Sequence, residues 1–176
     1  MSGAVFLEGE NTDLRTIEEE DLEFLRNGVN HPDVRVFMGN REPQNLDNQE
    51  EFFEEVICGD DIHLMICDKD GENKGIISLK REGDRAEKLG EIGIWVHPKF
   101  HGYGHGSEAS EILVEYAFEH LNYHKVYARA YQGNRPLQKV WESLGFTQEG
   151  VLRDHTYTQG EYINVVYYGM LKGEHK

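Results

Sequence analysis

From Glu91 to Ala109 the chain reads EIGIWVHPKFHGYGHGSEA, an apolar strand that runs through Gly102, Gly104 and Gly106 into the start of a helix. Glycines in such a turn let the main chain approach an anion closely. The helix behind them adds unpaired amides and the positive end of its dipole. The chemistry these residues predict is the holding of a phosphate group. The spacing G-x-G-x-G followed by Ser107 misses the G-x-G-x-x-G dinucleotide fingerprint, and no Lys-Ser or Lys-Thr follows to complete a nucleoside-triphosphate loop. A Rossmann enzyme and a P-loop enzyme are both disfavoured.

Three histidines, His97, His101 and His105, recur every four residues in the same stretch, a spacing that would form a metal face on a helix. Pro98 and the glycines break any helix there and no H-E-x-x-H is present, so metal binding is not expected. Cys58 and Cys67 lie nine residues apart, too few for a disulfide framework and too isolated for a zinc site. Neither has the context of an acyl-accepting nucleophile, and a buried thiol is the expected state.

The elements that must position these groups follow from periodicity and punctuation. Short strands are predicted near 4–8 and 12–17, helices near 18–29 and 48–57, and strands near 62–68, 75–83 and 89–97. Ala109, Ile112, Leu113, Tyr116, Ala117, His120 and Leu121 repeat with helical spacing and predict a helix over 106–121. A strand from Lys125 to Tyr131 is followed by NRPLQKVWESLGF, in which Pro136 suits a first helical turn. Leu137, Val140, Trp141 and Leu144 share one face of that helix, and Gly145 reads as the left-handed residue past its end. Strands near 146–157 and 161–171 close the chain. Strand, helix and parallel strand in the middle make a right-handed crossover.

Taken together, these stretches resemble the GNAT acetyltransferase superfamily. Its acetyl-CoA loop is usually Arg or Gln, two residues, Gly, one residue, then Gly or Ala. Here His101, Gly104 and Gly106 fill the frame, with His in place of Arg or Gln. The superfamily also has the arrangement of Asn134, a helix and the Gly145–Phe146 pair, with eleven residues from Asn to Gly. EGVLRDHTYTQGEYINVVYYGML, from Glu149 to Leu171, is similar to the end of the RimJ/RimL branch, as are Leu14, Arg15 and Asp21 near the start. The resemblance covers nearly the whole chain.

It implies an α/β GNAT fold in one domain over 1–176: a mixed central sheet with a splayed parallel strand pair that binds acetyl-CoA, and helices on both faces. The pantetheine arm would lie where the strands part, against main-chain groups of Ile94, Trp95 and Val96, which also face the developing oxyanion. The pyrophosphate would sit on His101, Gly102, Tyr103, Gly104, His105, Gly106 and Ser107, with Asn134 and Trp141 as further cofactor contacts. Glu91 resembles the carboxylate of the branch's E-I-G segment and is the expected base or water-positioner. By alternation it shares a strand face with Gly93 and Trp95. Neither usual acid is present: Trp141 stands where many members have Tyr, and Leu137 where the branch often has Ser. Either the thiolate leaves unprotonated, as a thiol pKa near about 8.5 permits, or another hydroxyl such as Tyr103 substitutes.

Composition sets the outer bounds. A chain of 176 residues can bury a sizeable core without staples. MSGAVFL, cut off by Glu8, lacks the pattern of a signal peptide, and no apolar run approaches spanning length, so a soluble, cytoplasmic protein with no membrane partner is expected. With 33 acidic against 18 basic residues the net charge is -15, which opposes binding to nucleic acid. The acidic surface suits either a cationic acceptor or a high-salt cytoplasm. Acidic runs such as Glu18 to Asp21 and Glu50 to Glu55 read as solvated helix faces.

The resemblance implies direct transfer from acetyl-CoA to an amine in a ternary complex, with a protein N-terminal α-amine as the leading acceptor. A polyamine or other small cationic amine is the alternative, and a non-catalytic acyl-CoA-binding module is a third reading. By the same resemblance the hairpin around Tyr157, Glu161 and Tyr162 and the helices near Glu18 to Val36 border the acceptor entrance. A homodimer is left open.

Overall fold

The computed structural model describes residues 3–39, 41–83 and 88–175. The chain forms two compact units, Met1–Ser78 with Ile94–Ile112, and Leu79–Gly93 with Leu113–Lys176. Strands β4 (Asn73–Glu82) and β5 (Leu89–Val96) and helix α4 (His105–Glu119) each contribute to both.

In the first unit the strand order is β1 (Val5–Glu8), β2 (Thr12–Arg15), β3 (Ile62–Asp68), β4, β5. β2 runs antiparallel to both β1 and β3, with Thr12 opposite Asp68 and Arg15 opposite Met65. The early helix starts later than periodicity suggests, because Glu19–Asp21 form a 3-10 turn before α1 (Leu22–Asn30). Asp21 is committed there: its carboxylate accepts from the Glu18 amide at 2.9 Å and from both terminal nitrogens of Arg15, at 2.8 and 2.6 Å. Both side chains are 5% exposed.

His31 caps α2 (Pro32–Met38), accepting from Asp33 N with Pro32 in the first turn, and Gly39 ends the helix at φ 74°. Asn45 and Asn48 form a reciprocal capping box on α3 (Leu46–Phe52), which opens into a π-helical turn over Phe53–Ile57. The wider turn, marked by Cys58 N bonding Phe53 O at 2.9 Å, divides the single helix expected over 48–57. Phe53 and Ile57 pack with Phe24 and Trp95 against a core of Ile17, Leu22, Leu25, Met65, Cys67 and Ile76.

In the second unit the order is β4, β5, β6 (Lys125–Tyr131), β8 (Glu161–Leu171), β7 (Thr147–Thr158). β5 and β6 are parallel from Leu89↔Lys125 to Ile92↔Ala128, and the ladder stops there although both strands continue. β8 lies antiparallel between β6 and β7. Ile92, Val126, Ala128, Leu113, Ala117 and Phe118 are buried with the indole of Trp141 on α5 (Arg135–Ser143). A Cβ on Gly90 would come within 2.6 Å of the Tyr123 ring, so this strand position admits only hydrogen. α5 begins at the Asn134 cap and ends at Gly145, φ 90°, as its sequence implies.

Candidate active site

In the first unit β5 leads through a 3-10 turn, Pro98–Phe100, into the glycine loop. Gly102 and Gly104 take φ of 84° and 87°, a region costly for residues with a Cβ, and a Cβ built on either would meet nothing within 4 Å. Both glycines therefore border open space at the start of α4. The bond from Glu108 N to Gly104 O, 3.0 Å, is the first of the helix, so the amides of His105, Gly106 and Ser107 have no acceptor inside it. A Cβ on Gly106 would lie 3.4 Å from Val96 and 3.8 Å from Ile94, which seats the first helical turn on the end of β5. Open-faced glycines and free amides fit a pyrophosphate.

The loop histidines are separately engaged. His101 Nε2 donates to Val96 O at 2.8 Å, fixing its tautomer and folding the loop back on the strand. His105 Nδ1 lies 2.9 Å from Thr12 Oγ1, and His97 Nδ1 accepts from Lys99 N at 3.3 Å. Among the described residues no group of three or more His, Cys, Asp or Glu is placed to hold a metal ion. Tyr103 is 74% exposed.

The side chain of Trp95 points to α1, where a Cβ on Gly28 would collide with its ring. Trp95 stacks on Phe24 at 5.8 Å, and Phe24, His97 and Phe100 continue the aromatic wall at 6.3 and 6.0 Å, with His31 edge-on to His97 at 5.3 Å. Burial pushes the His97 pKa down, and the charges of His31, His101 and Lys99 act in the same direction. Phe24, His97 and Phe100 of this wall line a cleft of about 530 Å³, with Arg15, Glu20, Asp21, Asn27, Glu72 and Asn73 among its other residues. Asp21 is held by Arg15 and by Asn73 Nδ2 at 3.0 Å, and Glu72 by Lys74 at 2.5 Å and Lys99 at 3.6 Å.

In the second unit Glu91 Oε1 accepts from Arg129 Nε at 2.5 Å, with the Glu91 side chain 13% exposed. Its parallel-ladder partner is Tyr127, stacked on Tyr167 at 6.1 Å. Burial, a hydrogen bond to Glu82 and the nearby Glu91 charge together drive the Tyr127 pKa far above its ordinary value. Tyr127 therefore stays a neutral phenol. The Asn134 side chain accepts from Leu137 N at 3.3 Å and caps α5. Trp141 is fully buried, 5.3 Å from Phe146, and its Nε1 has no hydrogen-bond partner among the described residues. Tyr157 and Tyr162 form an edge-on pair at 5.1 Å on the β7–β8 hairpin, and both are exposed.

The structure places Ile94 and Val96 against Gly106 of the loop, and it adds partners for the other groups that the sequence does not announce. The Arg129 clamp on Glu91 and the Gly28 seat of Trp95 carry no local sequence signal, since strand register and helix docking bring them into contact.

A strand leading into an open glycine loop at a helix start fits an acyl-coenzyme A-type transferase. Residues 12–147 match the model of the Acetyltransferase (GNAT) domain, and the chain belongs to that family. It is an N-acetyltransferase with acetyl-CoA as co-substrate. The chain is 39% identical over 105 residues to the putative ribosomal N-acetyltransferase YdaF of Bacillus subtilis (strain 168), a match covering 60% of this chain and 57% of that relative. It is 24% identical over 153 residues to the spermidine N(1)-acetyltransferase of Escherichia coli (strain K12), covering 87% and 82% of the two chains. The structure of spermidine N-acetyltransferase from Vibrio cholerae in complex with CoA and spermine shares the fold at TM-score 0.87 and 23% identity, covering 94% of this chain and 98% of the other. Among the described residues no helix is long and apolar enough to cross a membrane.

Proposed function

We propose that this chain is a RimJ/RimL-like enzyme that acetylates the α-amine of a protein N-terminus, with Glu91 as the group that takes or relays the amine's proton. The observation that carries the acceptor assignment is the state of the carboxylates in the aromatic-lined cleft. Asp21 is engaged by Arg15 and Asn73, Glu72 by two lysines, and Glu20 is not free either. A polyamine, with several charges at fixed spacing, needs unengaged carboxylates, whereas a peptide end brings one reactive amine and a neutral backbone. The higher identity to the putative ribosomal enzyme agrees with this reading. An α-amine with pKa near about 8 is already partly neutral at pH 7, so it asks less of a base than a lysine-type amine near about 10.

Arg129 holds Oε1 of Glu91, and Oε2 makes no hydrogen bond among the described residues, so Oε2 is the oxygen that receives a proton or orients a water. Main-chain groups of Ile94, Trp95 and Val96 and the residues from His101 to Ser107 hold the co-substrate, with Asn134 as a further contact, whereas the fully buried Trp141 supports α5 from the core. A second reading, acetylation of a small cationic amine, is favoured by the likeness to spermidine acetyltransferases.

Release of free thiol from acetyl-CoA, measured with peptides beginning in Ala or Ser and with spermidine, separates the readings. Peptides are expected to give kcat/KM at least about tenfold higher, a gap of about 1.4 kcal/mol in transition-state binding. A preference for spermidine would transfer the assignment to the second reading. Tight CoA binding with no thiol release to any amine would leave an acyl-CoA-binding module.

A further inference from the structure

The turn between β1 and β2 grips the first turn of α4, where a carboxylate would ordinarily be out of place beside an anion site. Glu108 Oε1 accepts from the Asn11 amide at 2.8 Å. Burial acts to raise the Glu108 pKa, and hydrogen bonding from the turn outweighs it and holds the pKa below its usual value. Thr12 is fully buried, and its hydroxyl oxygen lies at hydrogen-bond distance, 2.9 Å, from His105 Nδ1. Two bonds, Asn11 to Glu108 and Thr12 to His105, therefore join the start of α4 to a turn almost a hundred residues earlier.

Gly9 belongs to the same device. Its amide donates to Thr12 O at 2.9 Å, and a Cβ there would come within 2.6 Å of both Glu108 Oε1 and Ile112 Cδ1. The turn lies flat on the helix only because position 9 has no side chain.

The geometry points to Glu108 and Thr12 as positioning residues that hold the phosphate loop in its cofactor-receiving conformation, with the β1–β2 turn as the anchor. This rests on the reading of the loop as the acetyl-CoA site. The turn amides also draw the Glu108 charge onto themselves and away from the helix start, so an acid in the first turn is compatible with a bound pyrophosphate.

Charge and positioning make opposite predictions, which gives a sharp test. By charge alone, Glu108→Ala removes an anion near the phosphate site and CoA binds more tightly. By positioning, the loop loses its anchor and CoA binds more weakly. Titration calorimetry with CoA is expected to show affinity about tenfold weaker for Glu108→Ala, partly recovered in Glu108→Gln, with Thr12→Val weakened and Thr12→Ser near wild type. KM for acetyl-CoA should rise in step while kcat at saturation stays within about twofold. A folded Glu108→Ala or Thr12→Val that binds CoA as tightly as wild type, or more so, overturns the inference, even if its melting temperature falls. If Glu108→Ala does not fold, the Thr12 pair decides. A wild-type protein that does not bind CoA would overturn the acetyltransferase reading and this inference with it, whereas tight wild-type binding matched by the variants overturns the inference alone.

Discussion

Glu91 stands out in the sequence by its place on the strand before the glycine loop, and the structure adds what holds it. Arg129 bonds one carboxylate oxygen, which fixes the direction of the other. Tyr127 beside it, kept neutral by burial and by the charges of Glu82 and Glu91, adds no competing anion. Glu91→Gln keeps the shape and an acceptor oxygen for Arg129 but removes the proton-accepting group. Turnover at saturating acceptor should fall by about 10²-fold while the affinity for CoA stays close to wild type. A variant as fast as wild type at pH 7 would reduce Glu91 to an ion-pair partner of Arg129.

Among the elements, α1 and the end of β5 depend on a single missing side chain. Gly28 sits on the buried face of α1, where glycine is unfavourable for a helix, and the Trp95 ring occupies the space its Cβ would take. Helix propensity alone would make Gly28→Ala stabilising by about 1 kcal/mol. The clash with Trp95 reverses the sign, since overpacking a filled site costs about 1–3 kcal/mol. Urea denaturation of Gly28→Ala should therefore show a lower midpoint than wild type. A higher midpoint would mean that the indole moves aside freely and that Gly28 does not seat it.

For the molecule as a whole, a net charge of -15 means that pH acts through two opposing effects. Acidification lowers the self-repulsion, yet it also protonates groups that the fold holds in one state. His97 has a lowered folded pKa, so the unfolded chain binds the proton more readily, and its stabilisation declines as pH falls below the ordinary 6.5. Asp21 and Glu108 have folded pKa values below the ordinary 3.8 and 4.5 of free carboxylates. Their contribution is complete above those values and is lost as pH falls through the lower folded ones. The melting temperature should decline gently below pH 6.5 and steeply below about pH 4, with the gentle part removed in His97→Asn. A melting temperature that rises steadily down to pH 3 would show that charge repulsion outweighs these groups.

The sequence by itself determined what depends on near neighbours along the chain. Helix α5 could be placed because Asn134, Pro136 and Gly145 are its cap, first turn and terminator, and the glycine loop because positive φ at Gly102 and Gly104 needs no distant partner. The alternation of strand, helix and strand, and with it the parallel pairing of β5 with β6, followed from periodicity. Finer boundaries shifted where a side-chain pair intervened, as at Asp21, which pairs with Arg15 and closes a 3-10 turn ahead of α1. Only the tertiary structure decided which side chains hold the site: Arg129 on Glu91, Gly28 under Trp95, and the Thr12 turn on Glu108 and His105. These pairs are separated by 38 to 97 residues. Contact over such distances depends on strand register and on how helices dock, and local propensity and spacing carry no record of either.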